Sequence, residues 1–296
     1  MSREIPVSPT LLRQMPLPEP SPDGGKEQRG RVLVVAGSSE LPGAALLAGT
    51  AALRIGAGKL QIATAKRIAP QLGTAMPEAR VVALPETPSG AIAPEAADAI
   101  VAHAKACGAV LIGPGMMNHA AVAKLTAAVL PRIPDVPVVL DAAAMMRLLD
   151  QPDVIRERAA GTIVTPHAGE MAGMLGIDKA EVEADPAGTA VKVARLLECV
   201  VVLKGRCTRI ATPKGETWCC DEGNIGLATS GSGDVLAGFL IGLLARGADP
   251  VRAALWSVFV HGHAGTRLAQ SCGPLGYLAR ELPGEAPGIL RDLMKA

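Results

Sequence analysis

The hydrophobic positions of this chain fall in short, nearly unbroken runs rather than in long alternating stretches. Residues 32–36, 60–64, 109–112, 138–140, 162–164 and 200–203 are each dominated by Val, Ile, Leu and Ala, the pattern of strands buried on both faces of a sheet. Between them lie helical stretches. Residues 44–55 are almost all Ala and Leu and stop at Gly56-Ala57-Gly58. Residues 94–107 place Pro94 in the first turn, and 119–130 and 186–198 continue the series. Residues 208–211 and 216–219 read as a hairpin around Pro213-Lys214-Gly215. Two further helices are predicted over about 233–245 and 250–269.

Alternating strands and helices predict an α/β fold: a central, mostly parallel sheet with helices on both faces and a small hairpin toward the C-terminal half. Residues 1–30 are rich in proline and polar residues. They read as an extended arm lying on the body or on a neighbouring subunit, with regular structure beginning at Arg31. No repeat or linker divides residues 31–296, which read as one catalytic domain.

Charge narrows the function classes. The formal net charge is +1, and the aromatic residues are two Trp, one Tyr and two Phe. Neither a basic field nor a stacking platform for bases is present, so nucleic acid is not an expected partner. The longest apolar stretch runs from Val235 to Ala245, short of the ~18 residues a bilayer span needs. The N-terminus lacks the apolar run of a secretory signal. A cytoplasmic protein without membrane contact is expected. The six cysteines, at 107, 199, 207, 219, 220 and 272, form no C-x-x-C pair. They are expected to be reduced thiols, and no metal ligand set is assigned.

The candidate chemistry stands where strands end, since open α/β sheets bind ligands outside the carboxyl ends of their strands. Those ends carry Gly37-Ser38-Ser39, Gly113-Pro114-Gly115, Asp141, Thr165-Pro166-His167-Ala168-Gly169-Glu170 and Lys204-Gly205. The strongest feature is Thr229-Ser230-Gly231-Ser232-Gly233-Asp234, which runs straight into an apolar helix. Glycines there let the backbone approach a ligand, and the free amides of a helix start attract anions. Asp234 then reads either as a simple helix-start carboxylate or as a general base aimed at a hydroxyl. Lys204-Gly205-Arg206-Cys207-Thr208 suits phosphate contact or a solvated hairpin. His167 and Glu170 either face the site or build a helix cap. Asp141 stands near a metal–phosphate group or merely forms a turn. His261 and His263, two apart in a helix, point to different faces and read as packing or hydrogen-bonding histidines. The P-loop, dinucleotide-fold, zincin and nucleophile-elbow motifs fail. Leu53 and Leu60, for example, stand where a P-loop needs Gly and Ser or Thr.

Together these pieces resemble the ADP- or ATP-dependent NAD(P)H-hydrate dehydratases of the ribokinase-like superfamily. The resemblance runs in order over about residues 25–270, through Pro42-Gly43-Ala44-Ala45, Gly113-Pro114-Gly115, Leu140-Asp141-Ala142, Thr165–Glu170, Leu203-Lys204-Gly205, Asn224 and the Gly231–Gly238 loop. It implies a ribokinase-like fold and a hydro-lyase that repairs hydrated NADH or NADPH. The S epimer of NADHX or NADPHX would be dehydrated at the expense of ADP, releasing AMP and phosphate, with Mg²⁺ bridging phosphate oxygens.

By the same resemblance Asp234 is the catalytic base. Ala44, Gly115, His167 and Asp234 would contact the hydrated dinucleotide. Lys204, Gly205, Arg206, Cys207, Thr208, Ser232 and Gly233 would contact the nucleotide, with the amides of Ser232 and Gly233 offsetting the developing charge. Asp141, Glu170 and Asn224 are further site candidates. Where the family often has Lys-Gly-Thr-Gly-Asp, this chain has Ser230-Gly231-Ser232-Gly233-Asp234, which keeps the hydroxyl and loses the lysine. Many relatives carry an N-terminal epimerase domain. Here dehydratase activity alone is expected, in a homo-oligomer (a homotetramer) working with a separate epimerase. Two rival readings remain: a small-alcohol or vitamin-precursor kinase, which would release a stable phosphoester, and a nucleotide-binding regulator without turnover.

Overall fold

A computed structural model describes residues 4–21, 23 and 25–295. Ten strands make one sheet: β1 (Ile5–Pro6), β2 (Arg31–Val35), β3 (Lys59–Ala65), β4 (Ala79–Leu84), β5 (Ala109–Ile112), β6 (Val138–Leu140), β7 (Thr162–Val164), β8 (Val200–Leu203), β9 (Thr208–Ala211) and β10 (Thr217–Cys220). Their order across the sheet is β1-β10-β9-β8-β7-β6-β5-β2-β3-β4. From β4 to β8 every neighbour is parallel; β8–β9 and β9–β10 are antiparallel, and β1 joins β10 in parallel. The expected mostly parallel sheet, helices on both faces and small hairpin are all present. The hairpin turn closes with Gly215 at φ +85 and its amide donating to Thr212 O.

Helices α1 (Pro9–Gln14), α2 (Gly43–Arg54), α3 (Ala69–Ala75), α4 (Ala97–Ala104), α5 (His119–Val129) and α6 (Asp153–Arg156) occupy the first half of the chain. Helices α7 (Ala168–Leu175), α8 (Lys179–Ala184), α9 (Pro186–Leu197), α10 (Ser232–Ala245), α11 (Pro250–Cys272) and α12 (Leu282–Lys295) follow. The stretch read as one helix over 94–107 is a short 3₁₀ turn, Pro94–Ala96, leading into α4.

The segment read as an extended arm holds regular structure before Arg31. Residues 1–3, 22 and 24 lie outside the described residues. β1 adds to the sheet edge, and Ser8 caps α1 by accepting from the Leu11 amide, with Pro9 in the first turn. Val7, Leu12 and Leu17 are buried, and Trp256 donates its indole N–H to Met15 O. The apolar residues among the prolines are what turn this stretch back onto its own chain.

α10 is the central helix, buried along nearly its whole length, as expected of a helix apolar all round. It lies against α2 through small residues. A Cβ on Gly238 would stand 2.4 Å from Ala48 O, and one on Gly242 would stand 2.3 Å from Ile55 Cγ2. Backbones this close leave no room for a side chain. Gly238→Val is expected to lower the urea midpoint, costing about 3 kcal/mol, the upper end of overpacking penalties. An unchanged midpoint would mean that the two helices part freely.

Candidate active site

The parallel strands all run toward one rim, and their carboxyl ends bring residues far apart in sequence together. At the end of β5, Gly113 has φ +132 and sits where a Cβ would overlap the Asp141 carbonyl. Gly115, at φ +62, faces the Ala44 side chain and Leu41 O, each 2.6 Å from its missing Cβ. The structure thus joins Ala44 to Gly115 at the start of α2.

Beyond β6 lies Asp141, whose side chain is 3% exposed. Its Oδ1 accepts from Thr165 Oγ1 at 2.6 Å and from Lys204 Nζ at 3.0 Å. Three adjacent strand ends, β6, β7 and β8, supply these three groups. Glu170 Oε2 lies 3.8 Å from Lys204 Nζ. Burial pulls the Lys204 ammonium toward neutrality, but the charges of Asp141 and Glu170 outweigh it and hold the pKa above the ordinary value.

His167 and Glu170 form a capping box: the His167 amide donates to Glu170 Oε2 at 2.8 Å, and the Glu170 amide to His167 Nδ1 at 3.1 Å. The two readings of this segment are therefore joined. Glu170 caps α7 and also faces Lys204, while the exposed His167 lines the cavity described below.

α10 starts abruptly. Gly231, at φ +89, permits the turn, and a Cβ there would strike Leu47. No side chain caps the helix. The Ser232 amide donates to Thr229 O at 3.3 Å, whereas those of Gly233 and Asp234 find no protein acceptor among the described residues. The open anion cradle is thus shifted one residue from the expected Ser232 and Gly233 pair. Lys204 Nζ stands 3.4 Å from where a Cβ on Gly233 would be, so the cation and the open amides share one side. Asp234 sits in this first turn, half-buried. Burial first, and then the charge of Asp141, push its carboxyl pKa up to about 7 against the opposing pull of Lys204. A carboxyl group poised near neutrality is suited to exchange a proton with a hydroxyl.

A cavity of about 850 Å³ opens beside the cradle. Lys204, Gly205, Arg206, Thr208, Ser232, Gly233, His167 and Asn224 all line it, but Cys207, Ala44, Gly115, Asp141, Glu170 and Asp234 do not. Cys207 is instead bonded to Cys219, with the Cα atoms 6.1 Å apart. This corrects the expectation of six reduced thiols, which rested on compartment alone. The β9–β10 register sets Cys219 opposite Arg209 and Cys220 opposite Thr208, within reach of Cys207. Asn224 Oδ1 is gripped by the Gly226 amide and by Tyr277 O–H, while its amide nitrogen is buried with no hydrogen-bond partner among the described residues. Sequence reading left His261 as a packing or hydrogen-bonding residue. It lines the cavity and reaches Ser232.

Comparison with known proteins agrees with this geometry. Residues 32–287 match the family described as NAD(P)H-hydrate dehydratase. An ADP-dependent (S)-NAD(P)H-hydrate dehydratase of Xanthomonas campestris is 50% identical over 290 residues, 97% of this chain and 96% of that protein. The Bacillus subtilis ADP/ATP-dependent NAD(P)H-hydrate dehydratase, co-crystallized with ATP/Mg²⁺, superimposes with a TM-score of 0.84 at 32% identity, covering 99% of this chain and 100% of that one. A ribokinase-like superfamily protein of Enterococcus faecalis, 23% identical, shares the fold with a TM-score of 0.83 over 100% of this chain and 98% of its own. With its strand-end site and its open α10 start, the chain belongs to the NAD(P)H-hydrate dehydratase family.

Proposed function

We propose that this protein dehydrates the S epimer of hydrated NADH and NADPH, using the terminal phosphoryl group of ADP to expel a ring hydroxyl. The observation that carries this reading is Asp234, a half-buried carboxyl group of raised pKa beside the open amides of α10 and facing Lys204. A ring hydroxyl leaves poorly as hydroxide. In the proposed reaction its oxygen attacks the terminal phosphorus of ADP, the P–O bond to AMP breaks, and Asp234 takes the hydroxyl proton. The C–O bond then breaks with phosphate as leaving group, and a neighbouring ring proton passes to water, which restores the double bond. The amides of Gly233 and Asp234, the Ser232 hydroxyl and Lys204 would offset charge on the phosphoryl oxygens.

The nucleotide would occupy the cavity lined by Lys204, Gly205, Arg206, Thr208, Ser232 and Gly233. The hydrated dinucleotide would meet Ala44, Gly115, His167 and Asp234. Among the described residues no group of three or more His, Cys, Asp or Glu side chains is placed to hold a metal. This fits Mg²⁺, which binds through one or two carboxylates plus substrate phosphates and keeps several waters. Asp141 is the carboxylate suited to it: Oδ1 is taken by Thr165 and Lys204, while Oδ2 accepts no hydrogen bond among the described residues. When bound, the ion would neutralise phosphate charge. Cytoplasmic location, a homotetramer and a separate epimerase partner complete the reading, following the family resemblance. No described helix is long and apolar enough to cross a membrane.

The test is direct. Purified protein is incubated with hydrated NADH, Mg²⁺ and either ADP or ATP, while nicotinamide absorbance and free phosphate are followed. Absorbance should return with one phosphate released per NADH. Recovery with neither nucleotide sinks the reading, and a stable phosphorylated alcohol would mark a kinase instead.

A further inference from the structure

His261 lies on α11, in a different element from the loop it touches. Its Nε2 is 3.0 Å from Ser232 Oγ and also 3.0 Å from Ser232 O. The ring is half-buried, on the cavity wall, and meets Phe239 of α10 edge-on, with centroids 6.5 Å apart. Burial is the main cause that lowers its pKa to about 4, so the ring is neutral at physiological pH.

A carbonyl oxygen only accepts hydrogen bonds. A neutral ring with Nε2 on Ser232 O must therefore carry its proton on Nε2. The same N–H then faces Ser232 Oγ, which serves as a second acceptor and keeps its own proton free to donate into the cavity that Ser232 lines. The gripped carbonyl belongs to the Ser232–Gly233 peptide. That unit is planar and trans, so its N–H points opposite to its C=O. Holding the oxygen fixes the direction of the Gly233 N–H, one of the two open amides of the helix start.

We propose that His261 is a positioning residue: its Nε2–H clamps both oxygens of Ser232 and so aims the Gly233 amide and the Ser232 hydroxyl at the terminal phosphoryl group of the nucleotide. The clamp rests on the reading of the cavity as the nucleotide site. It differs from an ordinary buried histidine because it acts on phosphate and not on the nucleoside.

The test compares ADP with adenosine, which has no phosphate. Binding of each to wild type, His261→Phe and His261→Gln is measured by calorimetry, and kcat and KM for ADP are read in the dehydratase assay. His261→Phe should weaken ADP binding by roughly 10- to 100-fold and lower kcat by less than the roughly 10²–10³ lost with a direct oxyanion donor. Adenosine binding should stay within a factor of about 2. His261→Gln, whose amide N–H reaches the same oxygens, should recover most of the ADP affinity. Equal weakening of ADP and adenosine, or no rescue by Gln, overturns the clamp and leaves the nucleotide reading standing. Wild type that binds neither ligand overturns both. A measurement on the wild type guards against misfolded variants. In ¹⁵N-histidine-labelled protein, the non-titrating ring should carry its proton on Nε2 and shift with ADP but not with adenosine. An Nδ1–H tautomer overturns the proposal.

Discussion

Asp234→Asn leaves ADP bound and removes nearly all turnover: kcat is expected to fall by about 10²–10⁴, the range a positioned general base contributes. Asparagine keeps the shape of the first turn of α10 but takes no proton. Wild-type activity should itself decline as pH falls through about 7, where the Asp234 carboxylate becomes protonated. The same group has an opposite effect on stability. A carboxyl whose pKa rises on folding, here from 3.8 to about 7, binds its proton more tightly in the folded chain. Stability is therefore lost as pH rises between those values and stays reduced above them. Asp234→Asn is thus expected to raise Tm at pH 8, with the gain shrinking as pH falls toward 4. A variant that is inactive and also less stable at pH 8 would assign Asp234 to scaffolding.

Lys204→Met is the second large effect, on stability as well as activity. It leaves the Asp141 carboxylate buried with Thr165 as its one hydrogen-bond partner among the described residues. Removing one member of a buried ion pair costs about 3–5 kcal/mol, because the other charge stays uncompensated. Urea unfolding should show that loss. The double variant Lys204→Met/Asp141→Asn should regain much of it, since neither charge then remains. Turnover should stay low in both, because the cation beside the Gly233 amide is gone. A single variant as stable as the wild type would mean that Lys204 and Asp141 are independent.

The central strands are legible in the sequence because each is apolar on both faces. β5, β6, β7 and β8 run over the residues expected of them, and β9, apolar only at Ile210 and Ala211, follows instead from the hairpin turn beside it. The sheet edges are not. β4 has the apolar run Val81-Val82-Ala83-Leu84 but is half-exposed, as an edge strand, and β1 is two residues long and gains its identity from pairing with Trp218 and Cys219. α12 hides behind Pro287 and its glycines, although Leu282, Ala286, Ile289 and Leu293 share a buried face. The residues around the cradle stood out because strand ends and a glycine-rich helix start announce themselves locally. Their couplings did not. Asp141 meets Lys204 only because β6, β7 and β8 are neighbours, a fact of strand order. The histidines at 261 and 263 were judged by their own helix face, which rejects a shared metal but says nothing of a partner in another helix.

The strap formed by residues 5–17 has a consequence for how the protein is made. β1 is translated well before its partner β10 and the helix carrying Trp256. At about 5–20 residues per second this leaves the segment waiting for on the order of ten seconds or more. Through that interval Val7, Leu12 and Leu17 have no completed surface to cover them. When the segment docks, an early-made edge locks onto the later-made β10, so the sheet edge closes only after the intervening strands exist.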